Sequence, residues 1–467
     1  MIFSIDKKNP SMPAIKADGR EVISYGELTE LAKSIGKAPG GRCLVFCLCR
    51  NEPGAVAGYL GFLSEGVVPL LLDASIAPEV MENLVRVYKP AYFWAPDDMA
   101  EDLGEKVFGA EGYSLLKTGN EPYEINEELC LLLATSGSTG SPKLVRQSRK
   151  NIESNAGSIA EYLGIDETER PITTLPMNYT YGLSIINSHL LAGACILMTR
   201  SSIVQRPFWE MFMNEGATSF GGVPYTYEIL KKIRFFTMKL PTLRTMTQAG
   251  GKLPVNLQEE FGKWAEEQGK KFIVMYGQTE ATARMSYLPA DKCLSKIGSM
   301  GIAIPGGKFW LRDTDGSVIE ETDKPGELIY EGENVTLGYA ESAEDLEKGD
   351  ERCGILETGD VAKRDADGYY YIVGRLKRFI KIFGIRVSLD EAEQLLKVKF
   401  PGTDFACVGT DDHMTIFTDN EALISEAEEY LTTTLRQNYG AFRAEYIEKI
   451  PKNDSGKTIY KLLQEKI

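Results

Sequence analysis

The first chemically suggestive feature is a run of hydroxyl and glycine residues that follows a short apolar run. After the apolar residues 131–134, the chain reads Thr135-Ser-Gly-Ser-Thr-Gly-Ser-Pro-Lys143. Glycine lets the backbone approach a ligand closely, serine and threonine offer hydroxyl groups, and lysine adds a positive charge. Such a loop suits a polyphosphate, although it lacks the Gly-x-x-x-x-Gly-Lys-[Ser/Thr] spacing of a Walker A loop.

A second glycine and lysine pair lies near the end of the chain, in Asn453-Asp-Ser-Gly-Lys-Thr458. These residues look like the end of a Walker A motif, but the first glycine of that motif would fall on Pro451. Only residues 459–467 follow, which are too few for a P-loop fold. This segment therefore does not indicate a kinase or nucleoside triphosphatase of the P-loop type.

The overall composition limits the class of partner. The chain has 467 residues with 52 Lys and Arg against 67 Asp and Glu, which gives a formal charge of −15. Because a nucleic-acid surface needs clustered positive charge, we expect no nucleic-acid partner. Two histidines and eight sparse cysteines argue against a His-rich metal site and a disulfide framework. With no signal-like N-terminus and no run of 18 apolar residues, we expect a cytoplasmic protein without a membrane anchor.

The elements that must position these residues follow from the apolar pattern. Short apolar runs alternate with amphipathic stretches, which predicts α/β architecture with parallel sheets. The predicted strands are 44–49, 67–72, 91–95, 129–134, 171–175, 194–198 and 272–275. The predicted helices are 25–35, 78–87, 150–163 and 257–268.

The chain changes character after about residue 295. Glycine-rich and β-branched segments predict a smaller β section with strands at 307–311, 326–330, 369–373 and 378–382. The tail then predicts a small α+β domain, in which Ser388-Leu-Asp-Glu391 is a capping box that opens a helix. Further elements of the tail are strands at 405–409 and 414–417 and a helix at 425–435.

Five motifs occur in the order seen in one known family. They are Thr135-Ser-Gly-Ser-Thr-Gly-Ser-Pro-Lys143, Tyr276-Gly-Gln-Thr-Glu280, Thr358-Gly-Asp360, Gly374-Arg375 and Gly456-Lys457. Weaker matches to the same family are Ile23-Ser-Tyr-Gly-Glu-Leu28, Gly66-Val-Val-Pro69, Gly250-Gly251 and Val335-Thr-Leu-Gly-Tyr339. On these motifs the chain resembles the adenylate-forming enzymes, which comprise acyl-CoA synthetases, amino-acid adenylation domains of nonribosomal peptide synthetases, and luciferases. It looks closest to a stand-alone AMP-dependent acyl-CoA synthetase-like ligase.

The resemblance implies a fold and a reaction. The fold is a large N-terminal domain, residues 1–376, built of layered α/β subdomains plus a small β section. A small mobile α+β C-terminal domain, residues 377–467, pivots at Lys377. A carboxylate attacks the α-phosphate of Mg²⁺-bound ATP to give an acyl-adenylate and pyrophosphate. A thiol, either CoA or the phosphopantetheine of an acyl or peptidyl carrier protein, then takes the acyl group.

The resemblance also implies roles for individual residues. The loop of Thr135, Ser136, Gly137, Ser138, Thr139, Gly140 and Lys143 would hold the β- and γ-phosphates. Thr279 would contact the α-phosphate and Glu280 would bind Mg²⁺, while Tyr276 would lie against the adenine next to Gly250 and Gly251. Asp360 and Arg375 would bind the ribose. Lys457 would bridge the substrate carboxylate and the α-phosphate, and Gly384 would line the pantetheine tunnel.

The substrate pocket departs from both main branches of the family. Tyr179 stands where acyl-CoA synthetases often have histidine, and Thr180 stands where amino-acid adenylation domains place an aspartate. No acid lies between Glu169 and Glu210, so a buried substrate ammonium would lack a counter-charge. We expect the acyl pocket to include Tyr179, residues 220–224 and Met275. An amino-acid adenylating enzyme that loads a carrier protein stays an alternative, as does a non-catalytic relative that keeps the fold.

Overall fold

The computed structural model describes residues 1–134, 143–382, 385–435, 438–452 and 457–467. These residues form two compact units, the first of Met1–Lys308 with Tyr330–Leu356 and the second of Phe309–Ile329 with Glu357–Ile467. The mixed α/β architecture that the sequence predicts is confirmed. No helix within the described ranges combines the length and the apolar character needed to cross a membrane.

The helices and strands are numbered in chain order. The described strands are β1 (Pro13–Ala17), β2 (Val22–Ser24), β3 (Leu44–Cys49), β4 (Val68–Asp73), β5 (Tyr92–Pro96), β6 (Glu105–Ala110), β7 (Tyr113–Lys117), β8 (Leu129–Ala134), β9 (Leu144–Ser148), β10 (Ile196–Met198), β11 (Ser219–Gly222), β12 (Thr245–Gln248), β13 (Lys271–Tyr276), β14 (Ser286–Tyr287), β15 (Ile302–Ala303), β16 (Lys308–Arg312), β17 (Gly326–Glu331), β18 (Gly338–Ala340), β19 (Ile355–Arg364), β20 (Tyr370–Arg375), β21 (Phe379–Ile382), β22 (Ile385–Ser388), β23 (Phe405–Thr410), β24 (His413–Thr418) and β25 (Phe442–Tyr446). The described helices are α1 (Tyr25–Lys37), α2 (Pro53–Ser64), α3 (Pro78–Tyr88), α4 (Arg149–Leu163), α5 (Thr180–Ala192), α6 (Arg206–Asn214), α7 (Pro224–Lys232), α8 (Val255–Glu267), α9 (Leu389–Lys399), α10 (Ile424–Leu435) and α11 (Tyr460–Gln464).

The first unit contains an eight-stranded sheet in the order β18-β9-β8-β4-β3-β5-β7-β6. Its central strands β8, β4, β3 and β5 run parallel, and every residue of β3 is buried, as a continuous apolar run predicts. β8 turns back into β9 with Ala134 opposite Leu144, and β9 pairs with β18 with Val145 opposite Tyr339. This pairing brings the chain around Lys143 to the strand that carries Tyr339.

A second sheet in the same unit has the order β11-β12-β13-β14-β15. Strands β11, β12 and β13 are parallel, with Gly222 opposite Gln248 and Gln248 opposite Val274. The carboxyl ends of the three strands therefore meet at one edge, which is where α/β sheets place ligands. The remaining sheet of this unit has the order β10-β1-β2.

One predicted strand, 171–175, is absent from the structure. Pro171 and Ile172 make only isolated parallel bridges to Ser219 and Leu197. The segment bonds to two different strands in turn, because Ile172 N donates to the Ser219 carbonyl and Thr173 N donates to the Leu197 carbonyl, so neither pairing extends into a ladder. The other strands and the four helices predicted for the first unit form within a few residues of the predicted bounds.

The second unit contains three sheets. They have the orders β16-β17-β19-β20, β21-β22 and β23-β24-β25. Ser388 is the N-cap of helix α9, as predicted, and its side chain accepts a hydrogen bond from the Glu391 N–H group. The predicted capping box is only half formed, because the Glu391 side chain does not bond back to the Ser388 N–H group. Helices α9 and α10 pack with β21 to β25 around an apolar core that includes Leu396, Ile416 and Leu431. The hinge at Lys377 falls inside this unit and stays a prediction.

Candidate functional site

Glu280 lies in the connection between β13 and β14 and is held through both its backbone and its side chain. Its carbonyl oxygen accepts hydrogen bonds from Thr336 N at 3.1 Å, Thr336 Oγ1 at 2.9 Å and Arg352 Nη1 at 3.1 Å. Its Oε1 atom accepts a hydrogen bond from the Tyr339 hydroxyl at 2.7 Å. Burial, with the Glu280 charge adding to it, raises the pKa of Tyr339, so the phenol stays protonated and donates. The three bonds to the carbonyl fix the backbone at Glu280, and the bond from Tyr339 orients its carboxylate.

Tyr339 joins Glu280 to two cations. The Lys143 Nζ atom lies 3.9 Å from the centre of the Tyr339 ring, and the Arg352 guanidinium lies 4.6 Å from it. Lys143 also lies 3.6 Å from a carboxylate oxygen of Glu341. The structure thus brings two predicted site residues, Lys143 and Glu280, to the same aromatic ring.

Tyr339 and Arg352 were not predicted as site residues. The segment that ends at Tyr339 is one of the weaker matches to the family, and that match was the only indication of Tyr339 in the sequence. Arg352 carries no comparable signal, because nothing in a sequence indicates that its side chain returns to Glu280. The predicted phosphate-loop residues Thr135, Ser136, Gly137, Ser138, Thr139 and Gly140 lie outside the described residues.

The turn after Tyr276 is unusually tight. A Cβ atom on Gly277 would lie 1.6 Å from the Ala283 carbonyl oxygen, so only glycine fits. Thr282 and Ala283 both have positive φ angles, 53° and 99°. Such strain persists only where the surrounding structure enforces it, and it often marks a functional site. The turn places Thr279 and Glu280 directly after the adenine-contacting residue that the family resemblance implies.

Three segments that carry predicted site residues meet at the edge formed by the carboxyl ends of β11, β12 and β13. Residues 223–224 follow β11, Gly250 and Gly251 follow β12, and Tyr276 ends β13. Gly250 has a φ of +83°, and a Cβ atom there would lie 2.5 Å from the Tyr179 hydroxyl. The predicted nucleotide residue Gly250 and the predicted acyl-pocket residue Tyr179 are therefore in contact. Burial raises the pKa of Tyr179 to about 12, so it presents a neutral hydroxyl.

Of the predicted acyl-pocket residues, Tyr179, Val223 and Met275 meet in one apolar cluster, whereas Phe220 packs against Phe212 and Phe235 instead. The cluster also includes Tyr181 and Ala249. A charged residue that was not predicted, Arg284, contacts this cluster: its Nη1 atom lies 3.4 Å from Met275 Sδ, and its guanidinium lies 5.1 Å from the centre of the Tyr181 ring. His189, on the neighbouring helix α5, has a pKa lowered to about 4, mainly by burial. It is therefore neutral and adds no charge to the cluster.

In the second unit, the two predicted ribose residues face each other. Asp360 on β19 pairs in register with Arg375 on β20. Arg375 Nε donates a hydrogen bond to Asp360 Oδ1 at 3.2 Å. The Asp360 side chain is 7% exposed whereas that of Arg375 is 64% exposed, so the arginine covers the carboxylate. The Thr358 hydroxyl accepts a hydrogen bond from Asp360 N at 3.0 Å, and this bond fixes the backbone before the Asp360 side chain.

Lys457 lies next to an antiparallel bridge near the end of the chain. Lys452 forms an isolated bridge with Thr458, and Ile459 N donates to the Pro451 carbonyl at 2.8 Å. Helix α11 follows, and its Tyr460 is packed against Arg378. Lys457 itself is half-buried. Gly384 lies outside the described residues.

Tyr460 ties this segment to the start of the tail. Its ring lies 3.5 Å from the Arg378 guanidinium, and its hydroxyl donates to Glu393 Oε2 at 2.9 Å. Arg378 in turn pairs with Asp390 and Glu393, each at 2.5 Å. The residue after the proposed hinge and the helix after Lys457 are thus parts of one buried ionic cluster.

A large cavity of the first unit lies apart from these residues. It measures about 970 Å³ and is lined by Arg42, Arg149, Lys150, Asn151 and Lys308 among others. Its lining includes neither Glu280 nor any other predicted site residue of the part of the chain that the structure describes. Cavity size and the family motifs therefore point to different parts of the first unit.

Comparison with known proteins shows the family. The model of the AMP-binding enzyme family matches residues 4–340. Oxalate–CoA ligase of Arabidopsis thaliana is 28% identical over 77% of this chain and 71% of its own length. 2-Succinylbenzoate–CoA ligase of Bacillus cereus is 26% identical over 98% of this chain and 96% of its own.

A solved structure has the same fold over nearly the whole length. O-Succinylbenzoate coenzyme A synthetase (MenE) from Bacillus subtilis, in complex with AMP, superimposes with a TM-score of 0.80 at 20% identity, covering 99% of this chain and 97% of that one. The resemblance drawn from the five motifs is confirmed, because the family model spans well over half of the chain. The chain belongs to the AMP-binding enzyme family.

Proposed function

We propose that the protein activates a carboxylic acid with ATP to form an acyl-adenylate, releases pyrophosphate, and transfers the acyl group to CoA. The observation that carries the proposal is the cluster in which Lys143 and Arg352 flank Tyr339 and Tyr339 holds Glu280. A carboxylate is a poor acylating agent until one of its oxygens leaves as a phosphate ester. Catalysis therefore requires that two anions be brought together and that charge on phosphorus be stabilised.

The described residues of the first unit suit the phosphate and adenine ends of ATP. Lys143 supplies a positive charge beside Tyr339, and the hydroxyl-rich and glycine-rich segment that precedes it in the sequence would supply hydroxyl and backbone N–H donors to the β- and γ-phosphates. Thr279 follows the tight turn and would contact the α-phosphate. Tyr276 and the Gly250–Gly251 pair would bind the adenine at the edge where the carboxyl ends of β11, β12 and β13 meet.

Glu280 fits the requirement for a Mg²⁺ ligand. One of its oxygens, Oε1, is occupied by the Tyr339 hydroxyl, and Oε2 accepts no hydrogen bond from any residue the structure describes. Mg²⁺ is commonly bound by one or two carboxylates together with substrate phosphates, so a dedicated cluster of acids is not needed. No group of three or more potential ligands occurs among the described residues. When bound, the ion neutralises charge on the phosphates.

In the second unit, Asp360 would accept hydrogen bonds from the ribose hydroxyls and Arg375 would lie beside it. Lys457 would bridge the substrate carboxylate and the α-phosphate, where a single ammonium stabilises the negative charge of both groups. The division into residues 1–376 and 377–467, with a pivot at Lys377, is part of this proposal. In the second state, Gly384 would line the pantetheine tunnel.

The acceptor that we favour is CoA, and a phosphopantetheine on a carrier protein is the less favoured alternative. An amino-acid substrate is disfavoured by the pocket itself. The described acyl-pocket cluster contains no carboxylate to pair with an ammonium, and the charge that it contacts is positive, on Arg284. A cytoplasmic location, where ATP and CoA are both available, completes the proposal.

The test is a screen of carboxylic acids for pyrophosphate release, run with Mg²⁺ and ATP, with and without CoA. We expect at least one acid to stimulate release, and CoA to convert slow release into steady turnover with formation of an acyl-CoA. Stimulation by amino acids alone would favour the adenylation-domain alternative. Absence of release across the screen, with ATP binding intact, would support a non-catalytic relative.

A further inference from the structure

Arg284 is a buried cation in the wall of the acyl pocket. The residue is 2% exposed, and its Nε atom donates to the Ser184 hydroxyl at 3.0 Å while Nη1 donates to the Tyr162 hydroxyl at 3.1 Å. Nη1 also contacts Met275 Sδ, and the guanidinium lies over the Tyr181 ring. Every one of these partners is neutral.

Arg284 has no counter-charge in its own unit. No carboxylate forms an ion pair with it among the residues the structure describes, and its Nη2 atom donates to none of them. The undescribed part of the first unit, residues 135–142, contains no acid either. Burying an unpaired charge costs several kcal/mol, and fixed neutral dipoles offset only part of that cost.

Arg146 is a second buried arginine of this unit, and its partners differ from those of Arg284. Its side chain is also fully buried, yet it pairs with Glu351 at 2.5 Å. Its remaining donors reach four backbone carbonyls, those of Leu337, Tyr339, Lys348 and Gly349. Arg284 has neither a carboxylate nor a carbonyl partner for its side chain among the described residues, which sets the two arginines apart.

The backbone directly before Arg284 is strained. Arg284 follows Thr282 and Ala283, the two residues with positive φ. Its carbonyl oxygen accepts hydrogen bonds from Asn155 Nδ2 at 2.8 Å and Asn334 Nδ2 at 3.1 Å. The direction of the side chain into the cluster is therefore enforced by the strained turn rather than by a partner for the guanidinium.

The guanidinium also lies close to the predicted substrate position. It contacts Met275, which directly precedes the predicted adenine residue Tyr276 at the end of β13, and Met275 shares the apolar cluster with Tyr179. Tyr179 lies against Gly250 on the nucleotide side. An acid that extends from the nucleotide into this cluster would present its far end to Arg284.

We propose that the acid activated by this protein carries a second carboxylate, which pairs with Arg284 at the inner end of the acyl pocket. A planar carboxylate can accept two parallel hydrogen bonds from a guanidinium, so it matches the donor that Nη2 leaves open. The substrate class is thus a dicarboxylic acid, of which one carboxylate is adenylated and the other stays ionised. This inference rests on the proposed function.

The test compares matched acids that differ only in the second carboxylate. Succinate, glutarate, adipate, isophthalate and terephthalate are paired with butyrate, pentanoate, hexanoate, 3-methylbenzoate and 4-methylbenzoate, and pyrophosphate release is measured for each. For the pair of best length, we expect kcat/KM to be about 10- to 100-fold higher for the dicarboxylate, the range for a hydrogen bond between charged groups. Equal or better use of the monocarboxylate in every active pair would overturn the inference and leave the proposed function standing.

Two variants separate a substrate contact from a structural role. Arg284→Met keeps the length of the side chain and removes its charge, and Arg284→Lys keeps the charge. We expect the ratio of kcat/KM for the dicarboxylate to kcat/KM for the monocarboxylate to fall towards one in the methionine variant, and to stay partly raised in the lysine variant. An equal loss with both acids, or a raised KM for ATP alone, would show that Arg284 serves the fold or the nucleotide.

The preference of the wild-type protein for dicarboxylates over matched monocarboxylates tests the inference even if Arg284→Met does not fold. Release with monocarboxylates alone contradicts the second carboxylate but supports acid activation. Release with no acid of either kind contradicts the proposed function itself, so the two failures are distinguishable.

Discussion

The hydroxyl of Tyr339 donates a 2.7 Å hydrogen bond to the carboxylate of Glu280, although the two residues are 59 positions apart. The same ring lies beneath the ammonium of Lys143. A lysine proposed to bind phosphate and a proposed Mg²⁺ ligand therefore contact the same aromatic side chain. Sheet register causes this, since β18 pairs with β9 directly after Lys143.

Tyr339→Phe should separate the two functions of this side chain. The ring beneath Lys143 is kept, while the hydrogen bond to the Glu280 carboxylate is lost. Because a hydrogen bond to a charged group contributes about 1.5–3 kcal/mol, we expect kcat/KM for pyrophosphate release to fall about 10- to 100-fold. The Mg²⁺ concentration for half-maximal rate should rise. Tyr25→Phe, which removes a hydroxyl bonded to the Ala194 carbonyl, is the control; an equal loss there would refute a specific role for Tyr339.

Asp360→Asn should weaken ATP binding through the ribose. The amide keeps the shape of the side chain but loses the charge that pairs with Arg375 and that would accept the ribose hydroxyls. We expect KM for ATP to rise about tenfold and the preference for ATP over 2′-deoxy-ATP to shrink. Asp323→Asn breaks an exposed ion pair with Lys363 in the same unit and should leave both quantities unchanged. A preserved preference in Asp360→Asn would contradict the ribose assignment.

Lys457→Ala should abolish formation of the acyl-adenylate and spare the second half-reaction. The ammonium is proposed to stabilise the transition state of adenylation only, so a supplied acyl-adenylate should still react with CoA at a rate within about a few-fold of wild type. The two rates are measured separately with chemically prepared adenylate. Lys461→Ala, on the neighbouring helix α11, is the control. Equal loss of both half-reactions would show that Lys457 supports the fold of the segment instead.

The buried imidazole of His189 should make the folding stability of the protein depend on pH. Burial lowers its pKa to about 4 from an ordinary value of 6.5, so the unfolded state binds more protons than the folded state between these values. The free energy of unfolding should therefore fall as pH drops from 6.5 towards 4, by about 1.4 kcal/mol per pH unit and about 3 kcal/mol in total. His189→Asn can still donate to the Ile185 carbonyl and should lose this contribution. Urea unfolding at several pH values measures it; parallel curves for both proteins would be the contrary result.

Periodic apolar segments were predictable because their burial is a local property of the sequence. Residues 44–49 and 129–134 form strands with the predicted bounds, as β3 and β8. The predicted strand at 171–175 was wrong, since the segment bonds to Ser219 and to Leu197 in turn and forms only isolated bridges. Element type thus followed from the pattern, whereas pairing depended on hydrogen bonds that the pattern does not show.

Residues of the candidate site could be proposed from the sequence only where they stand in a motif. Glu280, Asp360 and Arg375 stand in motifs with fixed spacing, and the structure pairs the last two in register. Arg352 and Arg284 stand in no such motif, and their significance arises from burial and from partners far away in sequence. A lone arginine in a sequence is usually solvated. Its burial without a counter-charge can be recognised only in three dimensions.

The most direct measurement of acid activation follows one atom. The protein is incubated with ATP, CoA and an acid whose carboxylate oxygens are both ¹⁸O, and the products are analysed by mass spectrometry. Attack of the carboxylate on the α-phosphate forms a carbon–oxygen–phosphorus bridge, and attack of the thiolate breaks the carbon–oxygen bond. We predict one ¹⁸O atom in AMP, the other in the acyl-CoA, and none in pyrophosphate. Label in inorganic phosphate, with ADP as the nucleotide product, or unlabelled AMP would contradict the account.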